Sequence, residues 1–343
     1  MTRLALTVPM PWLAEAQASV ERAIRSDHLG HALLVHAAAG VGGDWLAFWI
    51  AARVFCSAPA DQPRPCGACI DCRRVMAGEH PDCSLVAPEE TSKEIKIDQV
   101  RELCQDLRLT SHGGRLKVAL VMPADRMNRF AANALLKTLE EPTPGTLLVL
   151  VAAQPSRLPA TIRSRCQSLP VRAPSLEESL SWLAGQAAPG VDWRAVLAVL
   201  GLRPLDALGV DPARIAALQR ETAEALVQAL RGGLDPVHTA DRWSREDLGL
   251  RLAAIENWIT DRVREWAGRG GGSAEMRADP YLPESHVTLN IRALFEALDG
   301  VREARRLEDT PVNKALLLER LLWRLTAAGG NRARTQAREQ GNR

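Results

Sequence analysis

The sequence predicts an α/β unit built on a parallel sheet, followed by a region that is helical throughout. Three observations predict it. Residues 11 to about 170 alternate short apolar runs with helix-like stretches, the rhythm of strand–helix–strand units. Within that region the apolar run Ala32-Leu33-Leu34-Val35 feeds a glycine-rich turn, residues 37–44, and then an apolar-faced stretch carrying Trp45, Phe48, Trp49 and Val54. From Ala173-Pro174-Ser175 onward the strand signals stop.

Taken in order, strands are expected at 31–35, 84–87, 117–122 and 146–152. Helices between them include 98–109, with Asp98 as N-cap and Arg108 near the C-terminal end, and 130–140, stopped by Pro142 and Pro144. Segments 176–185, 193–200 and 204–208 read as a small helical unit. Long periodic patterns at 214–230, 245–267, 288–307 and 310–327 read as an all-α bundle, interrupted by a glycine-rich loop at 268–272. The last of these helices opens on Thr310-Pro311, a cap followed by a first-turn proline. The tail from 331 is polar and basic without apolar period, the composition of a disordered end. The expected organisation is therefore 1–171, carrying a cysteine module at 56–72, then 172–211, 212–328 and a tail at 329–343.

Composition narrows the function. A net charge of +2 excludes a strong general attraction to nucleic acid, so any basic surface must be local. Aromatic residues are only 4% of the chain, leaving Leu, Ala and Val to build the cores. No run of 18 apolar residues offers a membrane span, and the N-terminus is broken by Pro9 and Pro11 too early for a signal peptide. Seven cysteines, four of them clustered, without export signals point to metal in a reducing cytoplasm rather than to disulfides.

The turn at 37–44 has the layout of a phosphate-binding loop without its chemistry. A working loop reads G-x-x-x-x-G-K-[ST]: its N–H groups cradle phosphates, its lysine reaches the β- and γ-phosphates, and its hydroxyl holds Mg²⁺. Here Ala37 stands at the first glycine, Gly40 and Gly42 lie within the loop, Gly43 replaces the lysine and Asp44 the hydroxyl. Losing the lysine removes an attraction of ~4 kcal/mol for a unit charge pair ~4 Å apart at an effective dielectric of ~20. Asp44 adds a repulsion of similar order. The strand at 117–121 runs into Met122-Pro123, where an acidic pair would bind Mg²⁺, and Asp125 comes too late. An ordinary glycine-rich βα turn would account for the local physics alone, but not for both losses in order. No productive ATP binding is expected.

Cys56, Cys66, Cys69 and Cys72 form C-x9-C-x2-C-x2-C, a spacing that can close a tetrahedral structural Zn²⁺ site. The Pro-rich segment 57–65 cannot fold unaided, and a metal would supply its missing core. Two alternatives stand beside this one: a reduced cluster without metal, and His80 as fourth ligand. Cys83 is a weaker competitor; Cys104 and Cys166 read as packed thiols.

Asn133-Ala134-Leu135-Leu136-Lys137-Thr138-Leu139-Glu140-Glu141-Pro142 and, after an apolar strand, Ser164-Arg165-Cys166 resemble the signatures of bacterial clamp-loader subunits. With the cysteine knuckle, Gly78-x-His80-Pro81-Asp82 and the degenerate loop, the chain resembles the delta-prime family of the DNA polymerase III clamp loader. The resemblance is dense over 24–170 and thinner beyond, where it rests on layout. It implies an AAA+ fold in three parts, the last two being a small lid and an all-α collar that joins a five-subunit ring. It implies as partners ATPase motor subunits, a clamp-opening subunit, the sliding clamp indirectly, and primed DNA. It further implies a stator that hydrolyses no ATP, with Arg165 as a trans arginine finger toward a neighbour's γ-phosphate, for which a planar, always charged guanidinium is suited. From residue type alone, Arg165 beside Arg163 and Arg172 reads as a solvated surface; the motif context is what gives it the finger role.

Lys137 and Glu140, three apart on one helix face, are expected to form a local ion pair. Lys93 and Lys96 precede a helix N-terminus that favours phosphate, with a solvated face as the plain alternative. Arg302, Arg305 and Arg306 form a basic stripe on the last region, collar surface or ion pairs. Two other classes remain open: an active AAA+ ATPase or helicase, opposed by Gly43, Asp44 and Met122-Pro123, and a zinc-containing DNA-binding regulator, opposed by the charge balance and the missing recognition pattern.

Overall fold

The computed structural model describes residues 5–59, 61–90, 92–113, 116–186, 190–268, 275–276, 287–288, 290–308, 310 and 312–329. The chain divides into two compact units, 1–187 with 202–209, and 188–201 with 210–343.

The first unit is built on a five-stranded sheet, β1 (Ala32–His36), β2 (Cys83–Val86), β3 (Lys117–Val121), β4 (Thr146–Ala152) and β5 (Gln167–Pro170), in the order β2-β3-β4-β1-β5. Every pairing is parallel, with Leu34 opposite Leu150 and Ala119 opposite Leu148 fixing the central register. β3 and β4 are buried along their whole length, which is why they read as unbroken apolar runs rather than alternating ones. From β1 the chain leaves for the far edge, returns through β3 and β4, and passes β1 to add β5. The carboxyl end of β1 therefore lies at a reversal of strand order, where open parallel sheets form their crevice.

Helices α1 (Ala14–Arg25), α2 (Gly43–Phe55), α3 (Ile70–Ala77), α4 (Ile97–Asp106), α5 (Arg129–Glu140), the short α6 (Ala160–Arg163), α7 (Leu176–Gln186) and α9 (Pro204–Leu208) belong to this unit. α5 is N-capped by Asn128, whose side chain accepts from the Ala131 N–H, and it buries Ala131, Ala132, Leu135, Thr138 and Leu139. Those buried positions leave Asn133, Lys137 and Glu140 on the exposed side. The N-cap of α4 falls two positions earlier than its charge pattern suggests. That residue is Lys96, whose backbone N–H donates to the Gln99 side chain at 2.9 Å, while Asp98 lies in the first turn and pairs with Arg101.

The second unit holds α8 (Trp193–Leu200), α10 (Pro212–Leu230), α11 (Pro236–Arg245), α12 (Leu248–Gly268), α13 (Ile291–Leu307) and α14 (Lys314–Ala328). Leu226, Trp243, Ile255, Leu294 and Leu322 are fully buried in one core. Each such side chain is worth about 1.5–3 kcal/mol relative to exposure. Asp211, Asp235, Asn290 and Asn313 cap their helices through side-chain oxygens. α14 is thus capped by Asn313 rather than started at Thr310-Pro311, and Pro311 lies outside the described residues, as do 269–272 of the glycine-rich loop and the tail from 330. Arg302 and Arg305 both reach Glu256, so two members of the basic stripe are ion-paired. Among the described residues no helix is long and apolar enough to cross a membrane.

Candidate functional site

The glycine-rich turn links β1 to α2 as one strand–turn–helix unit. Its two left-handed residues are both glycines, Gly40 at φ 72° and Gly42 at φ 102°, the latter serving as N-cap of α2 without a side-chain cap. Gly43, at the lysine position, has no room for a side chain. A Cβ there would stand 2.7 Å from Ala37 Cβ and 3.0 Å from Val151 Cγ1. The methyl group gained at Ala37 thus fills the volume through which a lysine stem would leave the helix.

The outer side of the loop is also occupied. Trp12, 1% exposed, donates its indole N–H to the Val41 carbonyl at 2.7 Å. Met10 Sδ and Leu13 Cδ1 each lie 3.3 Å from where a Cβ on Gly42 would be. The N-terminal turn of α9 sits over Gly40: the Leu205 N–H donates to the Gly40 carbonyl at 3.1 Å, and the Arg203–Asp206 ion pair crowds the Gly40 α-carbon. Asp44 is half-buried. Its burial, and then the nearby Asp206 carboxylate, hold its carboxyl above the usual range. At the end of β3, Met122 is buried, and Asp125 accepts a hydrogen bond from the Gln154 N–H at 3.0 Å, tying the ends of β3 and β4 together.

Arg165 lies on the turn between α6 and β5. Its Nη1 donates to the Thr161 carbonyl at 3.0 Å and its Nη2 is 2.9 Å from Glu140 Oε1, both side chains remaining substantially exposed. Glu140 is therefore the partner of Arg165, which the spacing to Lys137 did not suggest. The carbonyl of Leu139 lies 3.1 Å from His31 Nε2, so the C-terminal end of α5 is met by His31 and Arg165 from elsewhere in the unit.

The structure brings Cys56, Cys66, Cys69 and Cys72 together with their sulfur atoms all within 4.8 Å of one another. Four sulfurs at ~2.3 Å from a tetrahedral metal would be about 3.8 Å apart, so small inward shifts close the site. The backbone prepares it: the N–H groups of Cys66, Cys69 and Cys72 point at the sulfurs of Cys56, Cys66 and Cys69 at 3.3–3.4 Å. Against the upward push of burial, N–H groups from Cys72 and Ser57 and the Ser57 hydroxyl hold Cys69 at about 6. The Cys69 N–H likewise lowers Cys66, while burial drives Cys72 upward. His80 is not in this group. Its ring stacks on Phe55 at 4.0 Å, its Nδ1 accepts from the Asp82 N–H, and its Nε2 faces Asp71. Burial pushes the thiol of Cys83 up to about 12 and that of Cys166 up to about 11, the values of inert packed cysteines.

A parallel α/β unit with a phosphate-loop layout, continued by helices, is the architecture of clamp-loader AAA+ proteins. The fold is shared with a DNA polymerase III gamma subunit-related protein from Thermotoga maritima, at a TM-score of 0.50 and 16% identity over 91% of this chain and 99% of that one. The family model described as DNA polymerase III, delta subunit, matches residues 13–175. DNA polymerase III subunit delta′ of Pseudomonas aeruginosa is 35% identical over 305 residues, covering 87% of this chain and 92% of its own length. The Escherichia coli subunit of that name is 35% identical over 334 residues, covering 92% and 94%. The chain belongs to the delta′ family of DNA polymerase III clamp-loader subunits.

Proposed function

We propose that the chain is the stator of a clamp loader: it binds no ATP productively, and it supplies Arg165 in trans to the ATP held by a neighbouring motor subunit. The observation that carries this reading is the contrast within one unit between a loop packed shut by Ala37, Trp12 and Leu205 and an arginine left at the surface. Restoring ATP chemistry to such a loop would require space as well as charge. An exposed guanidinium needs only a partner surface. The exposed positions Asn133, Lys137 and Glu140 of the α5 motif, at i, i+4 and i+7, lead along one face to Arg165 and form the surface a neighbour would meet.

In this reading residues 1–171 form the AAA+ domain, 172–211 a lid and 212–328 a collar that joins motor and clamp-opening subunits in a cytoplasmic assembly. That assembly loads the sliding clamp on primed DNA, which this subunit serves indirectly. Cys56, Cys66, Cys69 and Cys72 hold a structural zinc whose role is to fold the 56–72 knuckle.

Reconstitution with motor and clamp-opening subunits tests the proposal. Arg165→Ala is expected to leave assembly intact and to depress DNA-stimulated ATP turnover at the adjacent site by ~10³-fold or more, with other sites setting the residual rate. Unchanged turnover removes the finger, and failure to co-elute with the motor subunits removes the stator. Metal analysis should give one zinc per chain, and Cys69→Ser should lose it; a metal-free, fully folded wild-type chain would exclude the zinc.

A further inference from the structure

We propose that Glu140 is a positioning residue: its carboxylate holds the Arg165 guanidinium at rest and is exchanged for a neighbour's polyphosphate when the subunits engage. The inference rests on the reading of Arg165 as a finger. Arg165 is the only cation that the structure gives to Glu140 among the described residues, at 2.9 Å, and the contact joins the last residue of α5 to the turn after α6. The guanidinium also donates to the Thr161 carbonyl, which accepts from the Ser164 hydroxyl as well, so it bridges the last side chain of α5 and a backbone carbonyl of α6. A cation without its polyphosphate is thereby parked, rather than left to wander over the surface.

The parking contact is built to be reversible. Arg165 is 36% and Glu140 50% exposed, so water reaches both partners and the pair is weak. It must also yield. A carboxylate in contact with the guanidinium would face the incoming phosphates with like charge, whereas the neutral Thr161 carbonyl would not. Arginine has five N–H donors, and the contacts to Glu140, Thr161 and Ser164 Oγ leave others unused, so a phosphate oxygen can be engaged before the carboxylate is released. Exchange of one anion for another then needs no rearrangement of the fold.

The test is a double-mutant cycle in the reconstituted assembly, comparing wild type, Glu140→Gln, Arg165→Ala and the double variant by steady-state ATP turnover at low and high salt. Glu140→Gln should lower the KM for ATP about two- to fivefold at low salt, the scale of an exposed ion pair, with the change falling on KM rather than kcat. The shift should shrink at about 0.5 M salt, and when Arg165 is already alanine Glu140→Gln should leave the nucleotide affinity of the adjacent site, read by equilibrium binding because its turnover is lost, unchanged. A KM that is unchanged or raised by Glu140→Gln overturns the exchange, as does an equal shift of affinity in the Arg165→Ala background. These results differ from failure of the underlying reading, in which Arg165→Ala itself would leave turnover intact.

Discussion

The turn at 37–44 and the turn at 160–166 lie in the same unit and have opposite physical characters. The first is closed by apolar packing: Trp12 and Leu13 are essentially unexposed, and a Cβ on Gly43 would collide with Ala37. The second is held by polar contacts that water can replace, Arg165 to Glu140 and to the Thr161 carbonyl. The difference teaches that the loop lacks room at Gly43 as well as a lysine. Packing in an interior cannot be displaced at small cost, whereas an exposed ion pair can.

The largest effect expected from attacking this contrast is on Trp12. Trp12→Ala removes a buried indole and its hydrogen bond to Val41, and should cost ~3–5 kcal/mol in denaturant unfolding. A loss below 1 kcal/mol would show that the loop does not depend on that packing. Next comes Gly43→Lys, which should destabilise by ~1–3 kcal/mol through overpacking and confer no ATP binding. Combining it with Ala37→Gly should recover part of that loss, because the two positions compete for one volume; strictly additive changes in stability would refute the competition.

A smaller effect is expected at Asp44. Its carboxyl is held above the usual range in the folded chain, so between the unfolded and folded values the native state binds the proton more tightly and stability falls as pH rises. Asp44→Asn should therefore raise Tm at pH 7–8, with the advantage fading toward pH 4; a lower Tm at neutral pH would contradict the burial argument. The smallest effect belongs to the exposed turn, where Arg165→Ala should change unfolding free energy by no more than about 0.5 kcal/mol. A larger loss would make Arg165 a structural residue and erase the contrast.

Much of this was legible beforehand because local signals sufficed. The fully buried run of β4 carries its own boundaries at Thr146 and Ala152, and the four cysteines declare their grouping by spacing. α11 was missed although Asp235-Pro236 is a strong start signal, because Trp243 is its one large buried side chain and Thr239 and Ala240 give little apolar period. β5, four residues at a sheet edge with only Leu169 buried, likewise lacks a pattern. What closes the loop was not readable at all: Trp12 and Leu205 reach it from 29 and 165 positions away in sequence, and no periodicity encodes such contacts. That Glu140 meets Arg165 instead of the expected Lys137 follows from tertiary placement, which helical spacing does not encode.

The hydrogen bond from Leu205 to Gly40 has a consequence for how the chain can be dissected. The helix that makes it belongs to the first unit, yet it is reached only after an excursion through 188–201 into the second. The polypeptide consequently passes between the units after 187, after 201 and after 209. A fragment ending at residue 187 would contain every strand of the sheet but not α9, and would uncover the loop beside Gly40. The natural-looking cut after the last strand thus yields an incomplete unit, and the smallest continuous piece that keeps the loop covered extends through residue 209.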